Sequence, residues 1–138
     1  MDDPPYVHVV ILNYNGVEND HLDYCIPSIK DTDYENLDIV IIDNNSSDNS
    51  LEYIRERHPD GELIKTGENL GWAGGNNVGI RNAISAGADY VVLANNDIRV
   101  HPQWISAGVR AAESDPEVGF VGFDVYGRVQ SVPLDDYK

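Results

Sequence analysis

The run from Val91 to Asp97 (VVLANND) constrains the fold of this chain more than any other segment. Four apolar residues lead directly into two asparagines and an aspartate, which is the pattern of a buried central strand in an α/β sheet. Polar side chains at the C-terminal end of such a strand lie where open α/β sheets bind ligands. An aspartate flanked by amides suits a hard cation that also holds phosphate oxygens, but Asn-Asn-Asp is equally good turn chemistry. The segment alone therefore leaves two interpretations open, a ligand site and an ordinary turn.

Size and composition predict a single domain over residues 1–138. The 138-residue chain is 41% hydrophobic, which is enough for a real core. Its apolar runs have the length of strands, so we expect no transmembrane helix, and the N-terminus lacks the basic and apolar regions of a signal peptide. A lone Cys25 excludes an internal disulfide framework.

A formal net charge of −15, from 24 acidic and 9 basic residues, is the strongest compositional signal. It argues against a surface that binds nucleic acid or an anionic membrane, because both require clustered lysines and arginines. A solvated acidic shell is compatible with work at high salt, where screening relieves the self-repulsion, so a halophilic protein is one hypothesis. The same charge repels a nucleotide at long range. Bound phosphates would therefore need a divalent cation, backbone N–H groups or a well-placed arginine.

Hydrophobic periodicity predicts strands and helices in alternation along the chain. Pro27 is expected to kink or break the first helix, and Pro102 to lie in the first turn of the fourth. Ile80 and Ile84 are expected to mark the buried side of the third helix. Residues 124–138 are expected to form a weakly structured tail or hairpin. The predicted strands cover residues 6–12, 37–42, 62–65, 89–94 and 118–123, and the predicted helices cover residues 19–30, a segment between 46 and 59, residues 76–86 and a segment from 102 onward.

This alternation predicts a mainly parallel sheet with helices on both faces, a three-layer α/β/α Rossmann-like fold. Each of three polar clusters, residues 13–15, 43–45 and 95–97, follows directly on a predicted strand. Because the carboxyl ends of parallel strands meet at one edge of the sheet, we expect the three clusters to converge where nucleotide ligands bind.

Three segments of the chain resemble, in order and spacing, the inverting glycosyltransferases of family 2, which have the GT-A nucleotide-sugar-binding fold. They are VVILNYNG, DIVIIDNNSSDNS, and the long run NLGWAGGNNVGIRNAISAGADYVVLANND from Asn69 to Asp97. The third segment is the most specific and is closest to the rhamnosyltransferase-like branch. Together they cover most of residues 7–100, so the chain resembles the N-terminal, nucleotide-sugar-binding part of such an enzyme without the C-terminal acceptor half.

The resemblance implies a role for most polar residues at this edge of the sheet. Asn13, Tyr14 and Asn15 would line the base and ribose pocket, with the tyrosine ring stacked on the base; an ordinary turn is the alternative. Asp43 would accept a hydrogen bond from an N–H group of the base; a helix-capping aspartate is the alternative. The implied nucleotide-binding residues are Asn13, Tyr14, Asn15, Asp43, Asn45, Gly71, Gly74, Asn77, Arg81, Asn95 and Asn96.

The glycine-rich loop before the third helix is implied to contact the nucleotide. Glycines let the backbone approach a ligand closely and a helix N-terminus favours anions, so Gly71, Gly74 and Asn77 are the predicted contacts. Trp72 either packs on the ligand or pins the loop to the domain. Arg81 either helps to neutralise a diphosphate or pairs with a surface acid.

Asp97 takes the place of the family's metal-binding aspartate. The resemblance implies that it binds Mn²⁺ or Mg²⁺, which bridges the diphosphate oxygens and offsets charge on the departing nucleoside diphosphate. Asn95 stands where the family usually has its first aspartate. Its amide can hydrogen-bond ribose or a metal-bound water, but it contributes no charge.

The general base that inverting sugar transfer needs is not apparent in the sequence. In the family it lies well downstream of the metal-binding aspartate, whereas Asp135 and Asp136 lie in the expected tail. We therefore expect either a fragment of a glycosyltransferase that acts on a saccharide or lipid-linked acceptor, or a non-catalytic module that only binds the nucleotide-diphospho-sugar. In both cases we expect a cytoplasmic location, or a peripheral one at the cytoplasmic membrane face through regions outside this chain.

Two further classes of protein compete with these. A nucleotidyltransferase that makes sugar nucleotides would need a glycine-rich, basic phosphate loop directly after the first strand, and residues 13–16 offer none. An unrelated acidic binding domain would leave the ordered three-segment match to coincidence. The sequence does not indicate the donor sugar, the nucleotide, the acceptor or the oligomeric state.

Overall fold

A parallel four-stranded sheet organises the part of the chain that the computed structural model describes, residues 3–125. The strands and helices alternate, as predicted, and every pair of neighbouring strands is parallel. The elements are β1 (Val7–Asn13), α1 (Leu22–Lys30), β2 (Leu37–Asp43), α2 (Ser50–Arg57), β3 (Glu62–Lys65), α3 (Gly71–Ala86), β4 (Tyr90–Asn95) and α4 (Trp104–Ala112).

In the strand order β3-β2-β1-β4, the order in which strands are added to the sheet reverses between β1 and β4, although all strands run parallel. The chain first builds the sheet outward from β1 to β3, and then returns through α3 to add β4 on the other side of β1. Helices α1, α2 and α4 contribute to one hydrophobic cluster, and α3 packs on the opposite face. The predicted α/β fold with helices on both faces of a parallel sheet is confirmed.

Strand β1 lies at the centre of the sheet, and all seven of its residues are buried. Val7, Val9 and Ile11 belong to the cluster on the α1 side. Val10 and Leu12 belong to the cluster on the α3 side. Burial on both faces requires apolar side chains at almost every position of a strand, and this segment has that pattern in the sequence.

Helix α3 differs from its prediction in both its start and its buried face. It begins at Gly71 rather than at residue 76, and Ile84 is 66% exposed. Small residues face the sheet instead: a Cβ on Gly79 would lie 2.2 Å from Val10 Cγ1. The prediction that Ile84 marks the buried side is wrong, because the helix approaches the strands too closely for large side chains, and Ile80 is only half-buried.

Two other sequence predictions need correction. Helix α1 runs through Pro27 without a break, while a kink there stays a prediction. The helix starts at Leu22 rather than at residue 19, because Asp20 adopts a left-handed conformation with φ of 57°. Residues 118–123 form no strand; Phe120 is 89% exposed, and the Phe123 ring packs on Trp104 of α4 instead of joining the sheet.

Most of the predicted tail or hairpin at 124–138 lies outside the described residues. None of the helices within residues 3–125 has the length and apolar character that crossing a bilayer requires.

Candidate functional site

A cleft of about 370 Å³ opens at the carboxyl ends of β1 and β4. This position is the point where the strand order reverses, which is where open parallel sheets bind their ligands. The loop that leads into α3 forms one side of the cleft, and the residues after β4 form the other. The lining residues are Leu12, Tyr14, Asn44, Asn69, Gly71, Trp72, Asn95, Asn96 and Asp97.

The predicted pair Asn13 and Asp43 lies beneath the cleft in a buried hydrogen-bond network. Asn13 Nδ2 donates to Asp43 Oδ1 at 3.0 Å, and Asn13 Oδ1 accepts from Asn96 Nδ2 at 2.9 Å. Ser46 donates its hydroxyl to Asp43 Oδ1 at 2.6 Å and its backbone N–H to Oδ2 at 3.0 Å. These bonds tie the ends of β1, β2 and β4 together and occupy both carboxylate oxygens. Contact between Asp43 and a nucleotide base stays a prediction.

The predicted residues of the loops after β1 and β2 divide into lining and bracing residues. Tyr14 lines the cleft and is 49% exposed, so its ring face is available to stack on a ligand. Asn15 braces the two loops: its backbone N–H donates to Ser46 Oγ at 3.0 Å, and its Oδ1 accepts from Ser47 N at 2.8 Å. Asn45 is exposed, has a φ of 65°, and is not among the lining residues.

Asn44 lines the cleft. It belongs to the predicted polar cluster 43–45, although it is not among the implied nucleotide-binding residues. It is only 3% exposed, and its side chain contacts the segment 69–71, which we call the lip of the cleft. Its Nδ2 donates to Asn69 Oδ1 and to Gly71 O, both at 3.1 Å, and its Oδ1 accepts from Leu70 N at 2.9 Å. The available signal was its place directly after Asp43, at the end of a buried strand.

Trp72 joins the lip to the end of β4. Its indole N–H donates to Asn95 Oδ1 at 3.1 Å, while the side chain remains 60% exposed in the cleft. The two roles predicted for Trp72, fixing the loop and facing a ligand, are therefore compatible in one conformation. The bond also occupies the amide oxygen of Asn95, so that its NH₂ group is the part left for a ligand.

The remaining predicted residues of α3 do not all reach the cleft. Gly71 lines it, whereas Gly74, Asn77 and Arg81 do not. A Cβ on Gly74 would lie 2.7 Å from Leu70 Cβ, so this glycine makes room for the lip. Arg81 is exposed and lies ten residues beyond Gly71, about 15 Å along the helix axis. Its pairing with a diphosphate stays a prediction, as does its alternative role at the surface.

Asp97 places an exposed carboxylate in the cleft beside Asn95 and Asn96. Within residues 3–125 no group of three or more His, Cys, Asp or Glu side chains is arranged to hold a metal ion. A hard cation would therefore take Asp97 as its charged protein ligand and complete its shell with oxygens of amides, water or the ligand itself. Such an oxygen-only donor set fits Mg²⁺ or Mn²⁺.

The family model "Glycosyl transferase family 2" matches residues 8–132 of the chain. Among curated proteins, the N-acetylglucosaminyl-diphospho-decaprenol L-rhamnosyltransferase of Mycobacterium tuberculosis is 30% identical over 110 residues. That alignment covers 74% of this chain and 36% of the relative. The chain spans little more than a third of the length of the curated relatives that it matches.

Solved structures show the same architecture. The mannosyltransferase PcManGT from Pyrobaculum calidifontis, in complex with GDP-Man and Mn²⁺, superposes with a TM-score of 0.72 and 28% identity, over 86% of this chain and 36% of that one. Staphylococcus aureus TarS (residues 1–349) superposes with a TM-score of 0.63 over 78% of this chain and 32% of that one; at 16% identity it supports the fold alone. The predicted GT-A fold and family are confirmed, and the chain belongs to glycosyl transferase family 2.

Proposed function

We propose that this chain binds a nucleotide-diphospho-sugar in the cleft through a divalent cation held by Asp97, and that it forms the donor-binding part of an inverting glycosyltransferase. The observation that carries the proposal is the position of Asp97. Its exposed carboxylate lies at the reversal of strand order, in one cleft with the Tyr14 ring and with Gly71 at the start of α3. A base, a diphosphate and a cation each have a suitable partner there.

Charge explains why a cation is required. The chain carries a formal charge of −15, and the residues that line the cleft within the described part of the chain include no lysine or arginine. A diphosphate would meet only the carboxylate of Asp97, neutral amides and the backbone N–H groups at the start of α3. A divalent cation turns the carboxylate from a repulsive into an attractive element of the site.

The cation, when bound, supplies Lewis-acid stabilisation of the charge that develops on the leaving diphosphate. The chain's own residues bind and orient the donor. Tyr14 provides a ring face for the base, Asn95 presents its NH₂ group, and Asn96 is held in place by its bond to Asn13 Oδ1. We favour Mn²⁺ for the first experiments because PcManGT was solved with it.

Inversion requires a base that accepts the proton of the attacking hydroxyl group. Asp97 is the one carboxylate that lines the cleft within residues 3–125, and binding a cation removes it from this role. We propose that the base comes from outside these residues, together with the site for a saccharide or lipid-linked acceptor. A lipid-linked acceptor agrees with the name of the mycobacterial relative and with a peripheral location at the cytoplasmic membrane face.

Calorimetric titration with GDP-mannose and UDP-GlcNAc, with Mn²⁺ and then with EDTA, tests the proposal. Asp97→Asn keeps the shape of the side chain and removes its charge, so the affinity for at least one sugar nucleotide in Mn²⁺ should fall at least about tenfold. Asp60→Asn, an exposed acid between α2 and β3, is the matched control and should bind like the wild type. Equal affinities of Asp97→Asn and wild type in Mn²⁺ would refute the role of Asp97.

A second candidate function is a module that binds the donor without transferring sugar. Asn95, in place of an acidic residue, favours it because the site has one charge fewer to hold a cation. Both candidates predict donor binding. Release of nucleoside diphosphate that depends on an added saccharide or lipid-linked acceptor would single out the transferase.

A further inference from the structure

Asn44 uses its side-chain amide fully in holding the lip of the cleft. Both hydrogens of Nδ2 have an acceptor at 3.1 Å, Asn69 Oδ1 and Gly71 O, and Oδ1 accepts from Leu70 N at 2.9 Å. The side chain is 3% exposed, so water does not replace these bonds when they are lost. Of the residues of similar size, only asparagine offers two donors and an acceptor in this arrangement.

The same side chain is enclosed from the α3 side. A Cβ on Gly75 would lie 3.3 Å from Asn44 Nδ2 and 2.5 Å from Leu12 Cδ1, so the N-terminal part of α3 packs directly on Asn44 and β1. The backbone of Asn44 is fixed as well, because its N–H donates to Asn13 O at 2.8 Å. The amide is therefore a rigid link between the sheet and the lip.

The lip determines the position of Trp72. This residue follows Gly71 directly, and its indole N–H reaches Asn95 Oδ1 on the opposite side of the cleft. The N-cap residue of α3, Leu70, makes no side-chain cap bond, and its own N–H donates to Asn44 Oδ1 at 2.9 Å. The position of Trp72 against Asn95 thus depends on an amide two strands away from β4.

We propose that Asn44 is a positioning residue of the donor cleft: its amide fixes the lip so that Trp72 lies against Asn95, and the cleft is thereby shaped before the ligand arrives. The expected effect of Asn44 on nucleotide binding rests on the proposed function. Its structural part, the control of Trp72 by Asn44, can be tested without any ligand.

Asn44→Asp is the sharpest variant. The carboxylate keeps the size and the acceptor for Leu70 N, but it loses both donors and faces two oxygens, Asn69 Oδ1 and Gly71 O. Asn36→Asp is the control: it adds the same charge at the other end of β2, where Asn36 donates one bond to Pro4 O at 2.8 Å.

The two tryptophans give the spectroscopic measurement. In a ¹H–¹⁵N correlation spectrum the indole resonance of Trp72 should move in Asn44→Asp, while that of Trp104, which donates to Thr32 Oγ1 at 2.8 Å, should stay in place. Affinity for GDP-mannose or UDP-GlcNAc with Mn²⁺ should fall about tenfold or more, and Asn36→Asp should match the wild type in both measurements.

The outcomes separate the two proposals. A wild-type protein that binds neither sugar nucleotide refutes the proposed function, while the shift of the Trp72 resonance still decides whether Asn44 positions the lip. A wild type that binds, together with an unmoved Trp72 resonance and unchanged affinity in Asn44→Asp, overturns the positioning role. If Asn44→Asp fails to fold, Asn69→Ala replaces it, because it removes the exposed carboxamide whose Oδ1 accepts from both Asn44 Nδ2 and Gly71 N. Unchanged Trp72 resonance and affinity in that variant would also overturn the role.

Discussion

The indole N–H of Trp72 and the amide oxygen of Asn95 are joined by a hydrogen bond of 3.1 Å across the mouth of the cleft. Trp72 belongs to the first turn of α3, and Asn95 is the last residue of β4. The bond therefore connects the element that precedes the reversal of strand order with the strand that follows it. We expect this bond to help the cleft keep its shape in the absence of ligand.

Replacing Trp72 with phenylalanine should weaken donor binding without weakening the fold. The variant keeps an aromatic ring but loses the donor to Asn95, which corresponds to a roughly threefold to tenfold loss of affinity for a sugar nucleotide with Mn²⁺. Because the side chain is 60% exposed, the free energy of unfolding should change by no more than about 0.5 kcal/mol. Calorimetric titration and urea denaturation measure the two quantities.

Trp104→Phe is the natural comparison for this variant. Trp104 is 9% exposed, and its indole N–H donates to Thr32 Oγ1 at 2.8 Å; neither residue lines the cleft. Its replacement should lower the free energy of unfolding by about 1–3 kcal/mol and leave the affinity unchanged. An affinity loss in Trp104→Phe but none in Trp72→Phe would contradict the assignment of Trp72 to the cleft.

Because α3 packs closely on β1, we expect adding a methyl group at Gly79 to destabilise the fold more than truncating Ile84 does. Gly79→Ala would place a Cβ 2.2 Å from Val10 Cγ1, so it should destabilise the fold by about 1–3 kcal/mol, although alanine is the better helix former. Ile84→Ala, at a side chain that is 66% exposed, should be close to neutral. Urea denaturation of both variants distinguishes this packing from the pattern expected from the sequence, in which Ile84 is buried and its truncation would be the costly change.

The buried face of α3 could not be fully predicted from the sequence, because small residues and not the isoleucine at position 84 make the contact with the sheet. Periodicity assigns large apolar residues to the buried side of a helix. In α3 the contact is made by Gly75, Gly79 and Ala83, which carry almost no hydrophobic signal, and the isoleucine is left exposed. How closely two elements approach is a property of their packing, and it is invisible in a pattern that counts only hydrophobicity.

The strands and the edge of the sheet that carries the site could be predicted, because their hydrophobic signal is strong. Strands β1 and β2 are long apolar runs that end in asparagine and aspartate, and a parallel sheet brings those ends together. Which of these polar side chains face the cleft depended on the hydrogen bonds among them. Asp43 is buried under Ser46 and Asn13, whereas its neighbour Asn44 reaches the lip.

Asp48 accepts hydrogen bonds that stabilise the loops after β1 and β2, and we expect this stabilisation to be lost in acid. Burial raises the pKa of this carboxyl group, but hydrogen bonds from Ser50, Glu18 and Val17 outweigh it, and the pKa lies below the ordinary 3.8. A lowered pKa in the folded state means that the stabilisation is present above the unfolded pKa and is lost as the pH falls through the folded pKa. We expect Asp48→Asn to be less stable than wild type near neutral pH, and the difference to shrink below about pH 4.

Thermal unfolding of both proteins between pH 7 and pH 2 measures this difference. Asp60→Asn, which also removes one negative charge from an exposed loop, controls for the change in net charge. A constant gap between Asp48→Asn and wild type across this range would show that the carboxylate of Asp48 does not stabilise the two loops.

The acidic surface predicts that salt stabilises this protein. With 24 acidic and 9 basic residues, like charges repel one another in the folded state, and raising the salt concentration from about 0.01 M to 1 M shortens the Debye length from about 30 Å to about 3 Å. A gain of about 1 kcal/mol would raise Tm by roughly 4–8 °C for a small domain. Calorimetric melting in NaCl measures the shift, and sucrose, which favours compact states through exclusion from the surface without screening charge, is the control. If Tm rises as much in sucrose as in NaCl, or does not rise between low and molar salt, screening of the acidic shell does not contribute to the stability of the fold.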